Sequence, residues 1–196
     1  MDNQNPTKNL SDEIKNLPTL SDNQKKKITK IFNNIFQKQS TEKYCKNDVI
    51  LNGYNITEYL KYLNLKMKLG FFYEQLFCYL GNFYKPRKGY DLRCDDRKII
   101  IEIKTSFKTD NHNSKDSKFH HLGKFKLNNP DWEVIYMCLN DHRDQKGVDY
   151  IHYYNFRIIS GDLAWKYFCN IANIDYRELI NFIRNLVHNS LQYKKL

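Results

Sequence analysis

The chain has 196 residues, long enough for one compact domain with a sizeable core. It carries 32 Lys and Arg against 22 Asp and Glu, a net charge of +10, which favours an anionic partner: nucleic acid first, a membrane surface second. No apolar run nears the ~20 residues of a membrane span, no signal-like apolar segment follows Met1, and Cys45, Cys78, Cys94, Cys138 and Cys169 fit no zinc or disulfide spacing, so a soluble cytoplasmic protein with reduced thiols is expected.

Residues 1–10 are polar and are expected to form a mobile tail. Ser21-Asp22-Asn23-Gln24 has the form of a capping box. Ile28, Ile31, Phe32, Ile35 and Phe36 then make one apolar helical stripe. Lys25, Lys26 and Lys27 oppose the dipole of that helix and suit a solvated face. Residues 40–54 read as loop. From about Asn55 to Phe83 the pattern is helical, with Leu60, Leu63, Met67, Phe71, Phe77 and Leu80 among its apolar positions. Gly70 marks a break or a close approach, and Gly81, Pro86 and Gly89 close the helix.

The run from Gly89 to Lys104 reads as a tight β-hairpin. Ile99 to Ile103 are β-branched except for Glu102, as a strand prefers. Asp95-Asp96 suits a two-residue turn, which sets Leu92 opposite Ile99 and Asp91 opposite Ile100. Alternation then puts Asp91, Glu102 and Lys104 on one face, with the two carboxylates a diagonal step apart. Charges inside a strand flanked by isoleucine cost free energy unless a metal or a partner compensates them. Two carboxylates are hard oxygen donors that suit Mg²⁺, with Mn²⁺ able to substitute, and the carbonyl of Ile103 offers a third ligand. A lysine beside them suits the charge that develops when a phosphodiester is cleaved.

Ser106 to Leu127 has no clean apolar period and is rich in lysine, so it reads as a DNA-contacting loop. Thr105, Ser106, Lys108, Lys115, Lys118 and Lys124 are the expected contacts. His120 and His121 have no third ligand spaced to join them. Trp132 to Leu139 reads as a strand, and Val148 to Ile159 as a strand or bent hairpin with Tyr150, His152 and Tyr154 on one face. Ser160 or Asp162 could cap a helix through Ile171. Asp175-Tyr176-Arg177-Glu178 is a second capping box, followed by an apolar stripe of Leu179, Phe182, Ile183, Leu186 and Val187.

Asp91, Glu102 and Lys104 at this spacing resemble the PD-(D/E)xK nuclease superfamily, with Tyr90 in the place of the proline. The segment Lys68 to Gln75 is similar to the helix that precedes the hairpin in that superfamily, and it puts Glu74 in the place of a further acidic residue. Ile101-Glu102-Ile103-Lys104-Thr105-Ser106-Phe107 resembles a run in EcoRV-type restriction endonucleases, and Ile159 to Ala164 a segment entering their base-reading loop. The resemblance implies an α/β fold, with a central mixed sheet flanked by helices around a restriction-endonuclease-like core. It implies one nuclease domain over residues 1–196, acting as a homodimer on double-stranded DNA. The expected activity is Mg²⁺-dependent Type II restriction, with Asp91 and Glu102 as metal ligands, Lys104 at the attacking water and Glu74 at a second metal. Two rivals share the basic charge: a repair or junction-resolving nuclease, and a non-catalytic DNA-binding protein.

Overall fold

A computed structural model describes residues 17–36, 50–51, 54–55, 57–105, 112–139, 149–151 and 155–192. Helix α1 (Asp22–Phe36) opens with the expected box: the Ser21 N–H donates to Gln24 Oε1 at 2.8 Å, and the Gln24 N–H donates to Ser21 Oγ at 3.2 Å. Its Ile28, Ile31 and Phe32 are buried. Strands β1 (Ile50–Leu51) and β2 (Tyr54–Asn55) pair as a small antiparallel ribbon inside the segment read as loop. Helix α2 (Thr57–Gly81) runs on without a break at Gly70, where an added Cβ would meet open space. Its Phe72, Tyr73, Leu76 and Phe77 face the core. Met67 and Phe71, expected on the apolar stripe, are instead exposed, because the buried face is turned toward residues 72, 73, 76 and 77.

The main sheet has five strands in the order β3 (Leu92–Cys94), β4 (Ile99–Lys104), β5 (Glu133–Cys138), β7 (Arg157–Ser160), β6 (Asp149–Ile151). Strands β4, β5 and β7 run parallel, and β3 and β6 are antiparallel edges. Helices α3 (His112–Asn128), α4 (Gly161–Ala172) and α5 (Tyr176–Gln192) complete the elements, so the mixed α/β architecture expected from the sequence is present. The bent-hairpin reading of Val148 to Ile159 matches β6 and β7; His152 and Tyr154 lie outside the described residues.

Each face of the sheet is covered. Ile99, Ile101, Ile103, Ile135, Met137 and Ile159 pack against α1, α2, α4 and α5, where the Phe77 and Phe168 rings stack at 3.5 Å. Ile100, Val134, Tyr136, Cys138 and Ile158 form the other face, under Phe119, Leu122 and Phe125 of α3. A parallel pair needs a crossover connection, and α3 is the one between β4 and β5.

Three sequence expectations change here. The segment Ser106 to Leu127 is helical from His112 onward, because Phe119, Leu122 and Phe125 supply one apolar side among the polar residues. Ser106 and Lys108 lie outside the described residues. Ile159 to Ala164 does not enter a loop: Ser160 ends β7 and Gly161 begins α4, with Ala164, Trp165 and Phe168 buried. The box at Asp175 is half made. The Glu178 N–H donates to Asp175 Oδ1 at 2.8 Å, but the Glu178 carboxylate turns to α1, where it meets the Leu20 N–H at 2.5 Å and Lys25 at 2.7 Å.

Candidate active site

The β3–β4 hairpin places the charged residues. Its register is Cys94 opposite Ile99, Arg93 opposite Ile100 and Leu92 opposite Ile101, so the loop holds four residues, Asp95 to Lys98, rather than two. A two-residue hairpin turn wants positive φ at one or both central positions, which aspartate holds at some cost. The chain bends instead through a turn closed by the Lys98 N–H donating to the Asp95 carbonyl at 3.1 Å, and Lys98 alone takes positive φ, 53°. The register differs from the expected one by two residues. Side chains alternate with period two, so the faces are unchanged and Asp91 remains on the side of Glu102. Continued by one step, the register sets Asp91 directly across from Glu102.

The loop is tied down by Arg97. Its guanidinium donates to the carbonyls of Gly81, at the end of α2, and of Ile171, in the last turn of α4, and it lies 4.9 Å from the Phe83 ring. The hairpin is thereby fixed to two helices on the face of the sheet opposite α3.

Asp91 lies just before β3 begins, where the Ile103 N–H has no strand partner. That N–H donates to Asp91 Oδ2 at 2.8 Å. A strand residue's N–H and C=O point to the same edge, so the Ile103 carbonyl opens on the Asp91 side as well. Lys104 joins the two acids: its Nζ is 2.6 Å from Glu102 Oε1 and 3.5 Å from Asp91 Oδ2. The Glu102 side chain is only 7% exposed, so its charge depends on those neighbours. Burial, and then the charge of Asp91, hold its carboxyl above the usual 4.5, against the pull of Lys104 and Lys118.

Lys118 completes the group from α3, with Nζ 3.7 Å from the same Glu102 oxygen. Lys115 and Lys118 lie on the sheet side of α3 with Phe119 and Leu122; Lys115 Nζ is 5.6 Å from the Phe119 ring. Lys124 is exposed on the opposite side, and Thr105 is half-buried just past β4. The lysines expected to contact DNA together are therefore split between two sides of one helix.

Glu74 is not gathered into the group. It pairs with Lys85, whose ammonium is held above its usual value first by that hydrogen bond and also by the charges of Glu74 and Asp91. Among the described residues no three His, Cys, Asp or Glu side chains come together as a metal cage. Reading the sequence missed Lys85, which no local pattern marks, and the placement of Lys118, for which the spacing of Phe119, Leu122 and Phe125 was the available signal.

Asp91, Glu102 and Lys104 sit at the carboxyl end of β4, on the open end of the face that α3 covers. Ligand chemistry in open α/β sheets gathers at such strand ends. Among the described residues no helix is long and apolar enough to cross a membrane. No curated protein and no solved structure matches the chain. A family model described as Eco47II restriction endonuclease does match, over residues 4–149, which is well over half of the chain and includes the hairpin, α3 and β5. The match agrees with the restriction-endonuclease resemblance carried by the sequence. The chain belongs to the Eco47II restriction endonuclease family and is a Type II site-specific deoxyribonuclease.

Proposed function

We propose that Asp91, Glu102 and Lys104 are the phosphodiester-cleaving centre of this restriction enzyme, a centre of the PD-(D/E)xK kind with Tyr90 in the proline place. The observation that carries the reading is one ammonium bridging two carboxylates, one of them buried, at the end of a parallel strand. A strand lysine that served only as a solvated partner would not need a nearly buried glutamate.

The donor set fits Mg²⁺, with Mn²⁺ as a substitute. The Asp91 and Glu102 carboxylates and the Ile103 carbonyl are hard oxygens, and Glu102 is buried with a second carboxylate beside it. When bound, the metal supplies Lewis-acid polarisation of the scissile phosphate and a water of lowered pKa. The chain does the rest. Asp91 is held rigid by the Ile103 N–H. Lys104 donates to the attacking water and to the phosphate oxygen on which charge develops. The water oxygen gives a proton to solvent as it bonds to phosphorus, the bond to the leaving oxygen breaks, and that oxygen takes up a proton from solvent. Glu74, paired with Lys85, would be the residue to hold a second metal.

The substrate is double-stranded DNA. Thr105, Ser106, Lys108, Lys115, Lys118 and Lys124 follow the centre in sequence and are assigned to its approach, in a single domain that works as a homodimer in the cytoplasm. Incubation with phage DNA and Mg²⁺, followed by sequencing of the ends, tests the reading. Discrete fragments with one short duplex sequence at every cut are expected. Intact DNA with both Mg²⁺ and Mn²⁺ would sink it.

A further inference from the structure

We infer that Lys118 is a second active-site lysine, which holds Glu102 until a divalent cation takes that carboxylate and then faces the scissile phosphate. The inference rests on the proposed function of the Asp91, Glu102 and Lys104 group. Lys118 comes from α3, not from the hairpin, and its ammonium reaches in to a carboxylate that is 7% exposed. A lysine serving only the flanking DNA backbone would point outward, as the exposed Lys124 does. Lys118 lies on the sheet side of the helix with Leu122.

Charge decides the rest. Two ammonium groups approach the same oxygen, Glu102 Oε1, one at 2.6 Å and one at 3.7 Å. One is enough to neutralise Glu102, and the two repel each other. The more distant, Lys118, is the one that a cation displaces. Before that, Asp91 and Glu102 balance Lys104 and Lys118. A divalent cation on the acids offsets the pull of Glu102 on both ammonium groups, and the group then attracts phosphate more strongly. Lys118 would thus be a competitor for the metal and a donor to the reacting phosphate.

The full chain is compared as parent, Lys118→Ala and Lys118→Arg, with melting curves checking the fold. Calorimetry measures Ca²⁺ binding without DNA, anisotropy measures DNA affinity in Ca²⁺, and single-turnover cleavage is followed in Mg²⁺ at saturating DNA. Lys118→Ala is expected to bind Ca²⁺ severalfold tighter without DNA and to cleave about tenfold or more slowly at saturating DNA. Lys118→Arg is expected to keep the parent's Ca²⁺ affinity. An unchanged Ca²⁺ affinity in Lys118→Ala overturns the proposal whatever the rate. A loss confined to DNA affinity overturns it too, and marks Lys118 as a backbone contact. If the parent itself does not cleave, the proposed function fails, and the Ca²⁺ comparison alone judges Lys118.

Discussion

The Asp91 carboxylate accepts the Ile103 N–H at 2.8 Å, one residue past the point where β3 stops pairing with β4. A side chain there completes the ladder that the backbone leaves open, and it fixes an acid opposite Glu102. The two duties can be separated. Asp91→Asn keeps an acceptor and loses the charge, so its melting temperature should stay near the parent's while cleavage falls by about 10²-fold or more. Asp91→Ala leaves the N–H of a buried strand residue unmet and should also cost about 1–3 kcal/mol in denaturant unfolding. Equal stability of the two variants would remove the structural duty.

Glu102 gives a pH dependence. Its folded carboxyl is held above the usual 4.5 by burial and by Asp91. A raised carboxyl favours the protonated form in the fold, so stability is highest below the unfolded value and is lost as pH rises through the folded one. In chelator, Glu102→Gln should therefore melt higher than the parent at neutral pH, and the gap should close as pH falls toward 4.5. A variant that melts lower at neutral pH would show that Lys104 and Lys118 more than repay the burial.

Arg97 ties the hairpin tip to the ends of α2 and α4. Its planar fork serves two carbonyls and covers the Phe83 ring, which a lysine ammonium cannot do at once. Arg97→Lys should destabilise nearly as much as Arg97→Ala, by about 1–3 kcal/mol in urea unfolding. Full rescue by lysine would show that charge alone matters there.

Glu178 joins α5 to the start of α1 through the Leu20 N–H and Lys25. Lys25 is more than a third exposed, so the ion pair adds little and the hydrogen bond from the Leu20 N–H carries most of the effect. Glu178→Ala should cost about 0.5–2 kcal/mol, with little dependence on salt. A loss that vanishes in 1 M salt would assign it to the ion pair instead.

Gly81 closes α2 against aromatic rings. A Cβ there would meet Phe83 at 2.8 Å and Phe168 at 3.0 Å. Gly81→Ala should destabilise by about 1–3 kcal/mol through overpacking, against the usual helical preference for alanine. A melting temperature at or above the parent's would show that the rings can move aside.

The site was more legible in the sequence than the elements around it. The face shared by Asp91, Glu102 and Lys104 depends only on parity, so it survived a loop two residues longer than expected. The loop length was set by Arg97 and by the positive φ of Lys98, and neither is written in the local pattern. Helix α3 was hidden because its buried side is only Phe119, Leu122 and Phe125 among lysine, serine and histidine. Exposure of Met67 and Phe71 was likewise a tertiary outcome: the sheet chose which side of α2 to bury. Glu74 was placed on the right helix, but its pairing with Lys85 joins residues whose meeting no sequence period foretells.

Lys104 carries the central claim, since its ammonium meets both acids. The most direct test is single-turnover cleavage of cognate DNA in Mg²⁺ by Lys104→Ala beside the parent, with DNA affinity measured in Ca²⁺. Cleavage should fall by about 10³-fold or more while affinity stays within about threefold. Cleavage by Lys104→Ala at the parent's rate would contradict the account.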